Sequence, residues 1–114
     1  MRNQYKTYID NAVMVCQFLD ELQRIIDDRI EHGDSSSYTR KLANGGVDLI
    51  SKKVGEEAVE VVVAAMKGDK KWVVMETADL MYHLLVLLRF MGIKFDDVCE
   101  ELVNRHMARV GANG

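Results

Sequence analysis

Residues 53–88 read KVGEEAVEVVVAAMKGDKKWVVMETADLMYHLLVLL. Two apolar segments flank Gly68-Asp69, a pair suited to closing one helix and capping the next. The valines at 59, 61, 62 and 63 favour a strand locally, but their helical flanks and the short span overrule that preference. In the second segment Val73, Val74, Met75, Leu80, Met81, Leu84, Leu85 and Leu88 cover most of a helix circumference. That helix is therefore expected to be buried nearly all round. With only Gly68 and Asp69 between them, the two helices should run antiparallel.

The acidic residues stand out against this background. Glu56, Glu57 and Glu60 span an arc of about 100° on the first helix, with Lys53 inside it one turn earlier. Glu76 and Asp79 lie about 60° apart on the second, with His83 between them in projection. Folding the chain about Gly68 places Glu60 level with Glu76 and Glu57 level with Asp79, roughly 12 and 16 Å from the turn. Carboxylates in an apolar stripe are costly to bury unless paired, protonated or bound to metal. A divalent cation relieves the repulsion among them, and all-oxygen donors suit Mg²⁺ or Mn²⁺ better than zinc.

Working outward, apolar residues at Ile9, Val13, Cys16, Leu19, Leu22, Ile26 and Ile30 mark an amphipathic helix over Tyr8 to Ile30. A loop from His32 to Ser37 precedes a short helix, Tyr38 to Ala43, stopped near Asn44-Gly45-Gly46. Asp48 is placed as the cap of the third helix, which runs to Lys67. The fourth spans Lys70 to Met91 and ends at Gly92. A fifth covers Asp96 to His106, before a frayed tail over 107–114. The expected fold is all-α: an antiparallel bundle of four to five helices in a single domain, 1–114, with its core over about 8–106.

The chain has 114 residues, 48% of them hydrophobic, no proline and a formal net charge of −3. A domain of this size exposes much of its surface, so oligomerisation is a reasonable way to bury more. The acidic balance gives no nucleic-acid footprint. Glu76, Asp79, His83 and Arg89 interrupt the most hydrophobic stretch and argue against a membrane span. A cytoplasmic protein is expected. Cys16 and Cys99 sit at apolar-periodic positions and read as free buried thiols. There is no Glu-x-x-His pair for a di-iron site and no phosphate-cradling glycine loop.

The pattern Glu56-Glu57-x-x-Glu60 followed by Glu76-x-x-Asp79 resembles the signature of the all-α NTP pyrophosphohydrolases, the MazG-like group. The segments Ser37 to Leu42, Lys53 to Glu60 and Ala78 to Leu88 narrow the resemblance to the phosphoribosyl-ATP pyrophosphohydrolase family, over roughly Leu19 to His106. The resemblance implies a homodimeric helical bundle that hydrolyses phosphoribosyl-ATP to phosphoribosyl-AMP and pyrophosphate, the second step of histidine biosynthesis, with Mg²⁺. It also implies that Glu57, Glu60, Glu76 and Asp79 form the metal site, with Glu56 beside them. Lys94 departs from the family's pattern, standing where a capping serine is usual before the last helix.

Metal bound there would neutralise charge on the leaving pyrophosphate, and a carboxylate would take the proton of an attacking water. Glu60 and Glu56 are the catalytic candidates. Lys53, Lys41, Arg40, Ser37 and His83 are the candidate substrate contacts. Each has a plainer role open to it: Lys53 in an ion pair, Ser37 as a helix cap, His83 as a satisfied core histidine. Trp72 and Tyr82 read as packing. Two rival functions stand beside the main one: a house-cleaning pyrophosphohydrolase for other nucleoside triphosphates, and a non-catalytic helical dimerisation module.

Overall fold

A computed structural model describes the backbone of residues 2–34 and 36–113, and the side chains of residues 17–34 and 36–111. The chain is all-α. Its elements are α1 (Arg2–His32), α2 (Tyr38–Met66), α3 (Lys70–Phe90) and α4 (Phe95–Asn113). No described helix is long and apolar enough to cross a membrane.

α2 and α3 form the antiparallel hairpin expected from residues 53–88, and glycine builds its turn. Gly68 has φ 72°; its N–H bonds Ala65 O at 3.0 Å and that of Asp69 bonds Ala64 O at 3.3 Å. This is the paired-carbonyl closure that a left-handed glycine permits at a helix end. The Asp69 side chain then accepts from Trp72 N–H at 3.0 Å and caps α3.

Three boundaries differ from expectation. The short helix and the long one after it are joined, because helical geometry carries through Asn44 and Gly45. The only break is Gly46, at φ 73° and ψ −170°. Asp48 therefore lies inside the second segment instead of capping it. α4 continues past His106 to Asn113, since Met107, Ala108 and Arg109 are all competent helix formers. α1 starts at Arg2 rather than Tyr8.

Ile26 of α1, Leu42 and Ile50 of α2, and Leu85 and Val86 of α3 make the fully buried core, with Leu19, Leu22, Ile30, Tyr82 and Phe95 packed around it. Each such aliphatic side chain contributes roughly 1.5–3 kcal/mol by leaving water. α1 is also tied to the end of α3 by Arg89, which bonds Asp27 at 2.5 Å and approaches Glu31 at 3.8 Å. Gln23, buried on α1, latches the α3–α4 turn. Its amide nitrogen donates to Ile93 O at 3.2 Å, and its amide oxygen accepts Phe95 N–H at 2.7 Å. The cap missing at Lys94 is thus supplied from another helix.

α3 is not buried all round. His83, Leu85 and Val86 are its buried residues, whereas Val74 is 68% and Met75 56% exposed. On α2 the exposed apolar residues include Val59, Val62 and Met66, the last at 84%. Apart from Ala64, the buried residues of the hairpin lie toward its open end, and its tip carries an exposed apolar face. Helical periodicity registers apolar faces but not what covers them. Cys99 is disulfide-bonded, not the free thiol expected; the side chain of Cys16 lies outside the described residues.

Candidate metal centre

The hairpin register brings four acidic side chains across the α2–α3 seam. One oxygen from each of Glu57, Glu76 and Asp79 lies within 4.8 Å of the others, a spacing that one cation can span. Glu60 adjoins them, its carboxyl next to that of Glu76. Glu57 Oε2 and Glu76 Oε2 are buried without a hydrogen-bond partner among the described residues. A buried carboxylate oxygen in that condition calls for a proton or a cation.

The titration of the cluster shows the same demand. Glu57 is held above the ordinary carboxylate range, first by burial, then by the adjoining Glu76 carboxyl and the charge of Asp79. Glu60 is pushed up to about 7 by the adjoining Glu76 carboxyl and by repulsion from Glu76 and Glu57. Glu76 is lowered, first by the adjoining Glu60 carboxyl and then by the Trp72 indole N–H that it accepts. The oxygen donor set and the unpartnered buried oxygens fit a hard divalent ion such as Mg²⁺.

The remaining candidates fall around this centre. Glu56 is engaged in ion pairs with Lys53 at 3.5 Å and Lys52 at 3.8 Å. Lys53 takes that pairing, and its charge also reaches Tyr38, as do those of Glu57 and Asp79. His83 is buried with both ring nitrogens engaged: Nδ1 lies 2.7 Å from Asp79 O and Nε2 lies 2.5 Å from the Tyr38 hydroxyl. Ser37 caps α2 by accepting Arg40 N–H at 3.4 Å. The Arg40 guanidinium donates to Gly33 O, while Lys41 is exposed. Ser37, Arg40 and Lys41 are thus not drawn into the carboxylate cluster itself.

Two participants are missing from the sequence reading. Tyr38 stands beside the centre through its hydroxyl bond to His83; no local pattern links residues 45 apart. Trp72 is more than packing: its indole N–H donates to Glu76 Oε1 at 3.1 Å. That contact had a signal, since residues four apart on a helix lie on one face.

Fold and site together define a small all-helical bundle with acidic side chains from an antiparallel helix pair facing one another, an arrangement suited to a divalent cation. The comparison with known proteins is more specific. The chain belongs to the phosphoribosyl-ATP pyrophosphohydrolase family, whose model matches residues 19–106. It is 51% identical over 92 residues to a phosphoribosyl-ATP pyrophosphatase of Pyrobaculum aerophilum, covering 81% of this chain and 98% of that protein. A phosphoribosyl-ATP pyrophosphatase of Metallosphaera sedula is 52% identical over 87 residues, 76% of this chain and 94% of the relative. A histidine biosynthesis bifunctional protein of Oceanobacillus iheyensis is 40% identical over 107 residues, with 94% of this chain matching 50% of that longer protein.

Proposed function

We propose that this chain is a cytoplasmic, Mg²⁺-dependent hydrolase that splits phosphoribosyl-ATP into phosphoribosyl-AMP and pyrophosphate, within histidine biosynthesis. The observation that carries the reading is the seam cluster: Glu57, Glu76 and Asp79 each place one oxygen within 4.8 Å of the others, and Glu57 and Glu76 each carry a buried, unpartnered carboxylate oxygen, in a chain of this family. Glu57, Glu60, Glu76 and Asp79 are the residues we assign to the metal, with Mn²⁺ as an alternative ion. When bound, the cation supplies Lewis-acid charge that neutralises the polyphosphate oxygens.

The chain's own groups do the rest. Glu60 is the base we assign to the attacking water, because it is exposed at the edge of the cluster and is not spent on a lysine as Glu56 is. Lys53, beside the cluster, meets phosphate charge that the metal leaves uncovered. Lys41 and Arg40 extend that positive rim, and Ser37 holds the α2 start from which they project. His83, committed to Tyr38 and to the Asp79 carbonyl, holds the wall of the site and makes no substrate contact in this reading. The hairpin tip is the surface we assign to a second copy in a homodimer. Gly55 has nothing within 4 Å of a Cβ built on it. It continues the stripe of Val59, Val62 and Met66, which would allow close approach of a partner helix.

Pyrophosphate release from phosphoribosyl-ATP, measured beside dUTP, dCTP and ATP under the same Mg²⁺, tests the substrate. Preference for phosphoribosyl-ATP is expected. Equal or better turnover of a common nucleoside triphosphate would reassign the chain to a house-cleaning role.

A further inference from the structure

We propose that Trp72 is a positioning residue for the metal centre: its indole N–H pins the Glu76 carboxylate so that one oxygen is engaged and the other faces the cluster. The inference rests on the metal reading given above and assigns a role to a side chain that is not itself a ligand. Trp72 Nε1 donates to Glu76 Oε1 at 3.1 Å, and it is Glu76 Oε2 that is left buried without a partner. A glutamate carboxylate rotates broadly about its last torsion and can offer either oxygen or both. A donor fixed on one oxygen removes that freedom and leaves the other as the single ligand atom.

The indole is itself held from two sides. Its backbone N–H is tied to the Asp69 cap at 3.0 Å, which fixes the first turn of α3. The Lys67 ammonium lies 5.9 Å from the ring centroid, within the range of a cation–π contact. One turn of helix then delivers the indole N–H to the carboxylate four residues on. Hydrogen bonds that orient metal-ligating carboxylates are worth about 10–100-fold in metal affinity. Phenylalanine at this position would keep an apolar ring but present no donor. Glutamine would keep an N–H donor without the ring.

Trp72 is the single tryptophan of the chain, so tryptophan fluorescence arises from this side chain alone. In the full chain, Mn²⁺ binding is followed by the loss of the free-ion electron paramagnetic resonance signal. Quenching of Trp72 by the paramagnetic ion is followed in parallel. The wild type is expected to bind Mn²⁺ saturably, with quenching that tracks occupancy. Trp72→Phe is expected to bind roughly tenfold or more weakly, and Trp72→Gln more tightly than Trp72→Phe. Mn²⁺ affinity in Trp72→Phe within twofold of wild type overturns the role. So does an order in which phenylalanine binds better than glutamine, since apolar packing would then be what matters. If the wild type binds no Mn²⁺, the metal reading falls and the positioning role falls with it.

Discussion

Lowering the pH from 8 to 6 should weaken Mg²⁺ binding by about tenfold, because proton and cation compete for the same carboxylates. Glu60 is raised from its ordinary 4.5 to about 7. By that value its ionised fraction falls from roughly nine-tenths at pH 8 to roughly one-tenth at pH 6. Glu57, raised as well, steepens the loss. Isothermal titration with Mg²⁺ at pH 6, 7 and 8 measures it. The metal-free protein should show the converse. A carboxyl whose folded pKa is raised stabilises the fold below its unfolded pKa, and that stability is lost as pH rises through the folded value. Metal-free melting temperature should therefore fall between about pH 5 and 7. Glu76, whose pKa is lowered, acts in the opposite sense, losing its contribution only as pH falls below its ordinary 4.5. Mg²⁺ affinity that stays flat from pH 6 to 8, with a flat metal-free melting temperature, would refute the coupled cluster.

Gly46→Ala should destabilise the fold by about 1–3 kcal/mol in chemical denaturation, because its backbone at φ 73° and ψ −170° suits glycine almost alone. It should also weaken activity, since Tyr38 would lose its approach to His83. Gln23→Ala should cost about 1–3 kcal/mol, leaving the Phe95 N–H and Ile93 carbonyl without their partner. Its Mg²⁺ affinity should be unchanged, as titration of the folded variant would show. If the tip forms the proposed homodimer contact, Val62→Asp should shift sedimentation from dimer to monomer, because it buries a charge in an apolar contact. An unchanged dimer would remove the tip from the interface.

Much of the architecture could be read from residues 53–88. A glycine suited to a left-handed helix end, an aspartate cap and two helical periods are local features, and they set both the hairpin and the acidic register across it. Glu57, Glu60, Glu76 and Asp79 could be placed together for that reason. What escaped the reading was non-local or depended on a single torsion. Gly45 and Gly46 look alike in sequence, yet only Gly46 leaves helical geometry. Gln23 caps a helix 72 positions away, and Tyr38 meets His83 across the bundle. Periodicity also could not tell a buried apolar face on α3 from one left uncovered at the tip.

In the proposed function, Glu57, Glu60, Glu76 and Asp79 hold the cation on which phosphoribosyl-ATP cleavage depends. The decisive experiment is pyrophosphate release by Glu57→Gln and Asp79→Asn, at Mg²⁺ that saturates the wild type. A loss of at least about a hundredfold in both variants is predicted, the scale of removing charge stabilisation worth several kcal/mol. Turnover near that of the wild type in either folded variant would contradict it.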